Sequence, residues 1–109
     1  MGKYIFMVFA NAVDGKDDAF NDWYTNVHLD EVLQVPGFAS GQRFEVAGDP
    51  APDPTHNYLA MYELETDDPQ ATLGALNKAV AEWMQMTDTM DSATANVKLF
   101  APVTEKRMA

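Results

Sequence analysis

The first strand of this chain can be identified from residues 4–10, which read YIFMVFA. Aromatic and β-branched residues dominate this run, and apolar side chains stand at both odd and even positions. Successive side chains of a strand point to opposite faces of a sheet, so this strand needs cover on both faces. The stretch therefore predicts a strand that is covered on both faces.

Composition limits the classes of function. The 109 residues include 17 Asp and Glu against 7 Lys and Arg, giving a formal net charge of −10, and no cysteine. This length fits one domain over residues 1–109. Nucleic acid and anionic membrane surfaces are unfavourable partners because both need clustered cations. Without cysteine there is no disulfide framework, and we expect a protein of the reducing cytoplasm.

Five further elements are predicted from hydrophobic periodicity and turn residues. We expect, in chain order, a helix over 18–35, a strand over 38–47, a strand over 57–65, a helix from Asp68 to about Met84 and a strand over 96–103. The first helix should be capped by Asp17 or Asp18 and should bend or restart near His28. In the second strand, Phe38 and Phe44 are expected on one face. Residues 48–54 form a proline-rich loop.

The order βαββαβ predicts an α+β, ferredoxin-like fold, with a four-stranded antiparallel sheet and both helices on one face. Two helices can cover only one face of that sheet, yet residues 4–10 are apolar on both. The second face should therefore meet another protein surface, and the simplest such surface is a second copy related by a two-fold axis. We expect a homodimer with its sheets face to face.

A motif in the first third of the chain supports this architecture. FNDWY at residues 20–24, His28-Leu29 and VPGF at residues 35–38 follow Asn11 and a turn at Gly15. This pattern resembles the dimeric α+β barrel superfamily, particularly its EthD-like small proteins. That superfamily includes muconolactone-type isomerases, polyketide cyclases, cofactor-free quinone-forming monooxygenases, haem-degrading monooxygenases and members with no known activity. The resemblance therefore implies a fold more than a function.

His28, Asn11 and Tyr24 are the candidates for catalysis. His28 follows Tyr24 by four residues at the edge of the buried helical face, where an imidazole can transfer a proton near neutral pH. In the superfamily that the sequence resembles, a histidine at this place lines the pocket. Asn11 or a tyrosine would stabilise an enolate oxygen. In the structural alternative, His28 bonds a backbone carbonyl, Asn11 forms an Asx turn and Tyr24 belongs to the core.

Arg43 is a candidate for substrate binding, as the only arginine before the C-terminal tail. It could hold a substrate carboxylate, or it could pair across strands with Glu45, Glu63 or Glu65.

Tyr62, Trp23 and Trp83 are further candidates for substrate binding. Tyr62 and Tyr58 share one strand face, which is either the helix side, where a hydroxyl reaches the pocket, or the dimer side. Trp23 and Trp83 suit an apolar or aromatic ligand, and equally suit a core.

A metal site is weakly indicated. His28, Asp30 and Glu31 include a His and carboxylate pair at i, i+3, and His56 offers a second imidazole. Asp30, however, lies about 200° from His28 around a helix, so we expect no metal and no cofactor. His56 is expected at the surface, although it could approach the pocket.

Three functions remain open. The first is a cofactor-independent isomerase, lyase or cyclase, in which His28 transfers a proton on a small aromatic, lactone or polyketide-like substrate held between helices and sheet. The second is a monooxygenase of the same fold, acting on an electron-rich aromatic or on haem. The third is a non-catalytic binding or accessory protein.

Overall fold

The structure of the chain, a computed structural model, describes residues 2–48 and 56–109. The elements are β1 (Gly2–Ala10), α1 (Asp17–Trp23), a π-helical segment (Tyr24–His28), α2 (Leu29–Val32), β2 (Phe38–Glu45), β3 (Tyr58–Thr66), α3 (Pro69–Glu82) and β4 (Asn96–Phe100). The sheet order is β2-β3-β1-β4, and every neighbouring pair is antiparallel. This confirms the ferredoxin-like α+β fold. Of the expected proline-rich loop, residues 49–54 lie outside the described residues.

The expected bend near His28 is confirmed as a π-helical segment between α1 and α2. The expected aspartate cap of α1 is wrong. Lys16 occupies the N-cap position without a side-chain hydrogen bond, and Asp17 lies in the first turn, where its charge still suits the helix dipole. The Asp17 carboxylate instead accepts a hydrogen bond from the Tyr58 hydroxyl at 2.7 Å. At α3, by contrast, Asp68 caps the helix as expected, accepting from the Ala71 amide at 3.1 Å.

The core lies between the helices and one face of the sheet. Phe6 of β1 and Tyr62 and Leu64 of β3 are buried there together with Phe20 and Tyr24 of the first helical stretch. Tyr58 and Tyr62 therefore face the helices rather than a dimer partner. None of the helices within residues 2–48 and 56–109 has the length and hydrophobicity to cross a membrane.

Phe38 and Phe44 lie on opposite faces of β2, which corrects the sequence expectation. The pairing of β2 with β3 shifts register between Phe38 and Ser40, so the simple alternation of side chains is interrupted there. Phe38 pairs with Leu64 and packs edge-on against Tyr62, with ring centroids 5.6 Å apart. Phe44 pairs with Leu59 and points away from the helices.

The other face of the sheet, which we call the open sheet face, carries apolar side chains on all four strands. Directly paired residues share a face, so the register places three rows of side chains on this face. Its apolar members are Ile5, Met7, Phe9, Phe44, Leu59, Met61 and Phe100. Among these, Phe44 and Phe100 are exposed, and the other five are half-buried. The same rows also carry the polar residues Ser40, Gln42, Glu63, Asn96 and Lys98.

Candidate functional site

Polar and aromatic side chains converge on Tyr24 in the π-helical segment. Its hydroxyl lies 2.9 Å from that of Tyr62, and both tyrosines are buried. Burial raises the pKa of Tyr24 to about 12, and it also raises the pKa of Tyr62 well above its ordinary value. Both hydroxyls therefore remain protonated at neutral pH, and they form a neutral hydrogen bond that joins the helix to β3.

Arg43 of β2 lies over the Tyr24 ring. Its Cζ atom is 4.7 Å from the centroid of that ring, 5.4 Å from that of Phe20 and 5.7 Å from that of Tyr58. Nη1 donates to Thr25 Oγ1 and Nη2 donates to Asn21 Oδ1, each at 2.9 Å. The cross-strand ion pair considered for Arg43 is absent among the described residues. The guanidinium is thus positioned by aromatic rings and neutral acceptors.

An open cavity of about 290 Å³ lies beside this arginine, and we call it the Arg43 cavity. It is lined by Asn21, Thr25, Arg43, Phe44, Glu45 and Tyr58. The Tyr58 hydroxyl accepts a bond of 3.3 Å from Asn21 Nδ2 while it donates to Asp17. That donated hydrogen bond is the main reason why the pKa of Tyr58 is raised. Asn21 therefore connects the arginine to the tyrosine across the cavity wall.

His28 packs on the other side of the same cluster. Its ring stacks on Trp23 with centroids 4.6 Å apart, and it meets the Tyr24 ring edge-on at 4.9 Å. Nδ1 is buried, has no hydrogen-bond partner and lies 3.8 Å from Glu31 Oε1. Burial lowers the pKa of His28, although the nearby Glu31 opposes this shift. The imidazole is therefore neutral at pH 7 and able to accept a proton.

Glu31 is a buried carboxylate that sequence patterns identified only as a possible metal ligand. Its two oxygens accept the Gln85 backbone N–H at 3.0 and 3.3 Å. The backbone carbonyl of Gln85 accepts a hydrogen bond of 2.6 Å from Trp23 Nε1. Gln85 thus fixes both the carboxylate beside His28 and the indole stacked on it. The i, i+3 spacing from His28 was the available signal for Glu31.

The candidate residues separate into different parts of the structure. Contacts with Tyr24 or with its neighbours bring together five of them, which we call the Tyr24 cluster: Trp23, Tyr24, His28, Arg43 and Tyr62. Asn11 joins a second polar group, where Oδ1 accepts the Asn57 N–H at 2.9 Å and Nδ2 donates to Thr94 Oγ1 at 3.2 Å.

Two more candidates lie outside the Tyr24 cluster. His56 has its Nε2 atom 2.6 Å from the Thr94 carbonyl oxygen. Trp83 is 47% exposed at the end of α3, where it lines a shallow groove with Pro36 and Lys78. Asp30 is exposed, and no three His, Asp or Glu side chains converge as a metal site would require within residues 2–48 and 56–109.

Solved structures share this fold at low sequence identity. The heme-degrader MhuD from Mycobacterium tuberculosis has a TM-score of 0.67 and 16% identity, covering 95% of this chain and 99% of that one. A protein from Shewanella loihica PV-4 described as a "putative monooxygenase" has a TM-score of 0.63 and 15% identity, covering 94% of this chain and 96% of that one. An EthD family protein from Bacillus halodurans C-125 has a TM-score of 0.61 and 11% identity, covering 94% of this chain and 99% of that one. These structures confirm the resemblance to EthD-like proteins of this fold.

The sequence itself matches no curated protein, but one family model spans most of the chain. That model, described as a domain of unknown function (DUF4286), matches residues 3–85. The matched range includes the first three strands, all the helices and every residue of the Tyr24 cluster. The chain therefore belongs to the DUF4286 family.

Proposed function

We propose that this chain is a cofactor-independent monooxygenase that oxidises a small hydroxylated aromatic compound with molecular oxygen. The observation that carries the proposal is a neutral His28 whose Nδ1 faces the buried carboxylate of Glu31 at 3.8 Å. The monooxygenases among proteins of the same fold favour oxidation over the isomerase or cyclase reaction that we expected first.

The pairing of His28 with Glu31 has the geometry of an oriented base. A carboxylate that faces Nδ1 favours the tautomer in which Nδ1 carries the proton, and Nε2 is then the basic nitrogen. At 3.8 Å the contact is longer than a hydrogen bond, but such contacts in unliganded sites are often long and tighten with substrate. The hydrogen bond from the Gln85 backbone N–H holds the Glu31 carboxylate beside His28, where a small shift would close this distance.

The reaction begins when Nε2 of His28 removes the proton of a phenolic hydroxyl. The resulting phenolate is rich in electrons at the carbon para to its oxygen, and that carbon reacts with O₂ when it carries hydrogen. One oxygen atom becomes the second quinone carbonyl and the other leaves as water. The substrate loses four electrons, which reduce O₂ completely, so the step needs no separate reductant.

The histidines of this chain fit a haem ligand poorly. Nδ1 of His28 is buried against Glu31, and one face of its ring is covered by Trp23. Nε2 of His56 is already 2.6 Å from the Thr94 carbonyl oxygen. Because the His28 ring is covered on one face and the His56 nitrogen is already paired, neither imidazole is placed to ligate haem iron, and we derive no step through haem.

The proposed enzyme works as a homodimer, with the open sheet face as its interface. The helices cover only the opposite face, which leaves Met7, Phe9 and Met61 to be covered by another protein surface. A second copy supplies an identical apolar surface through a two-fold axis. In this assembly, residues 1–109 of each protomer act as a single domain.

Oxygen uptake with 1,5-dihydroxynaphthalene in chelator-treated buffer tests the proposal. We expect one O₂ consumed for each 5-hydroxy-1,4-naphthoquinone formed, and the His28→Gln variant should lose about 10²- to 10⁴-fold in rate, the usual contribution of a general base. His56→Gln is the matched control, since it removes the other histidine. Deuterium exchange into the substrate without oxygen uptake would instead favour an isomerase or cyclase, and the absence of both would favour a binding protein.

A further inference from the structure

We propose that the Arg43 cavity is a binding site for a carboxylate group, and that the substrate of the proposed reaction is therefore an aromatic acid. The inference deepens the proposed function and rests on it for the identity of the reaction, but the site can be tested by binding alone. The inference is based on which hydrogen-bond donors and acceptors of the cavity wall already have partners.

The neutral acceptors on that wall are already occupied. A guanidinium has five N–H donors, and Arg43 gives one from Nη1 to Thr25 and one from Nη2 to Asn21. Asn21 Oδ1 and Thr25 Oγ1 are thereby used as acceptors, and the Tyr58 oxygen accepts from Asn21. The second N–H of each terminal nitrogen has no acceptor among the described residues. The wall therefore offers unpaired donors, which suit the two oxygens of a carboxylate.

Arg43 is also held in place before any ligand arrives. Three aromatic rings lie within 5.7 Å of its Cζ atom, and both terminal nitrogens are tethered by hydrogen bonds. A charged side chain that is already ordered loses little conformational entropy when it binds a ligand. No carboxylate of the described residues forms an ion pair with the arginine, and only the longer-range charge of Glu45 acts on it, so the guanidinium remains available to an anion.

The size and lining of the cavity restrict the ligand. A volume of about 290 Å³ lies near the lower limit for small-molecule sites, which suits a small aromatic compound. Tyr58 supplies aromatic surface beside the arginine, with its ring centroid 5.7 Å from Cζ. Glu45 at the exposed rim disfavours a second negative charge, so the geometry indicates a monocarboxylate.

Arg43 also shares a neighbour with the proposed base. The guanidinium of Arg43 and the imidazole of His28 both lie within 5 Å of the Tyr24 ring centroid. Tyr24 therefore connects the wall of the Arg43 cavity to the residue that acts as the base in the proposed reaction.

Calorimetric titration with 3-hydroxybenzoate and its near-isosteric amide, 3-hydroxybenzamide, tests the site. Because charge-assisted hydrogen bonds contribute about 1.5–3 kcal/mol, we expect the wild type to bind the acid about tenfold or more tightly than the amide. Arg43→Gln should abolish that preference, while Lys78→Gln, which removes an equal charge on α3, should retain it. Glu45→Gln should strengthen binding of the acid.

Equal affinity for acid and amide in the wild type, or an unchanged preference in Arg43→Gln, would overturn the inference. If Arg43→Gln proves unfolded by circular dichroism, Thr25→Val replaces it, because the lost tether should weaken acid binding alone. Acid-selective binding without oxygen uptake would remove the proposed oxidation and leave the carboxylate site intact. Oxygen uptake without acid selectivity would remove the carboxylate site and leave the proposed oxidation intact.

Discussion

The hydroxyl pair of Tyr24 and Tyr62 allows a quantitative test of how the helix is joined to the sheet. The two oxygens are 2.9 Å apart, and the residues are 3% and 1% exposed. Replacing either tyrosine with phenylalanine leaves the other hydroxyl buried without its partner. That costs about 1–3 kcal/mol in the free energy of unfolding, the desolvation penalty of an unsatisfied polar group.

Replacing both tyrosines removes both polar groups together. The double variant should therefore lose less than the sum of the two single changes, with a coupling energy of about 1 kcal/mol. Urea unfolding followed by tryptophan fluorescence, at one fixed protein concentration, measures all four corners of the cycle. Tyr4→Phe is the control, since Tyr4 is only half-buried and its hydroxyl forms no hydrogen bond with the described residues.

Strictly additive losses in that cycle would refute the hydrogen bond between the two hydroxyls. They would also separate Tyr24 from β3 and weaken the grouping of His28 with Arg43 around it.

Three further predictions concern Glu31, pH and the dimer. Glu31→Gln should slow oxygen uptake about tenfold or more by removing the charge that orients His28. Asp30→Asn, on the exposed side of α2, should leave the rate unchanged. Equal rates in both variants would contradict the proposed pairing of His28 with Glu31. Because burial lowers the pKa of His28, its neutral form stabilises the fold fully above pH about 6.5, and this stability should be lost as the pH falls below that value. Urea unfolding between pH 5 and 8 should show that loss diminished in His28→Gln, and an unchanged profile would contradict it. Met61→Glu on the open sheet face should halve the mass measured by light scattering, whereas Ala81→Glu on α3 should preserve it; a monomeric wild type would refute the interface.

Much of the fold could be predicted because the hydrophobic pattern is strong and local. The apolar run at residues 4–10 correctly indicated a strand, and Asp68 followed by Pro69 correctly marked the start of α3. Phe38 was wrongly expected on the same face as Phe44, because a register shift breaks the alternation on which the prediction depends. Such a shift depends on pairing with β3 and leaves no mark in the sequence of β2 alone.

The candidate site was predicted less completely, because its partners are distant in sequence. Tyr24, His28 and Arg43 were identified from residue type and motif, and the structure brings them into one cluster. Glu31 was considered only as a metal ligand, since its actual partner is a backbone amide 54 residues later. Asn11 was considered as a partner of His28, and the structure places it instead in a separate polar group with Asn57 and Thr94, which the motif alone does not reveal.

The role of His28 as the base of a cofactor-independent oxidation can be measured as the rate of oxygen uptake by wild type and His28→Gln with 1,5-dihydroxynaphthalene. We expect one O₂ per quinone in the wild type and a loss of about 10²- to 10⁴-fold in the variant, with circular dichroism at pH 7.5 showing both folded. Equal rates in two folded proteins, or no oxygen uptake by the wild type, would contradict it.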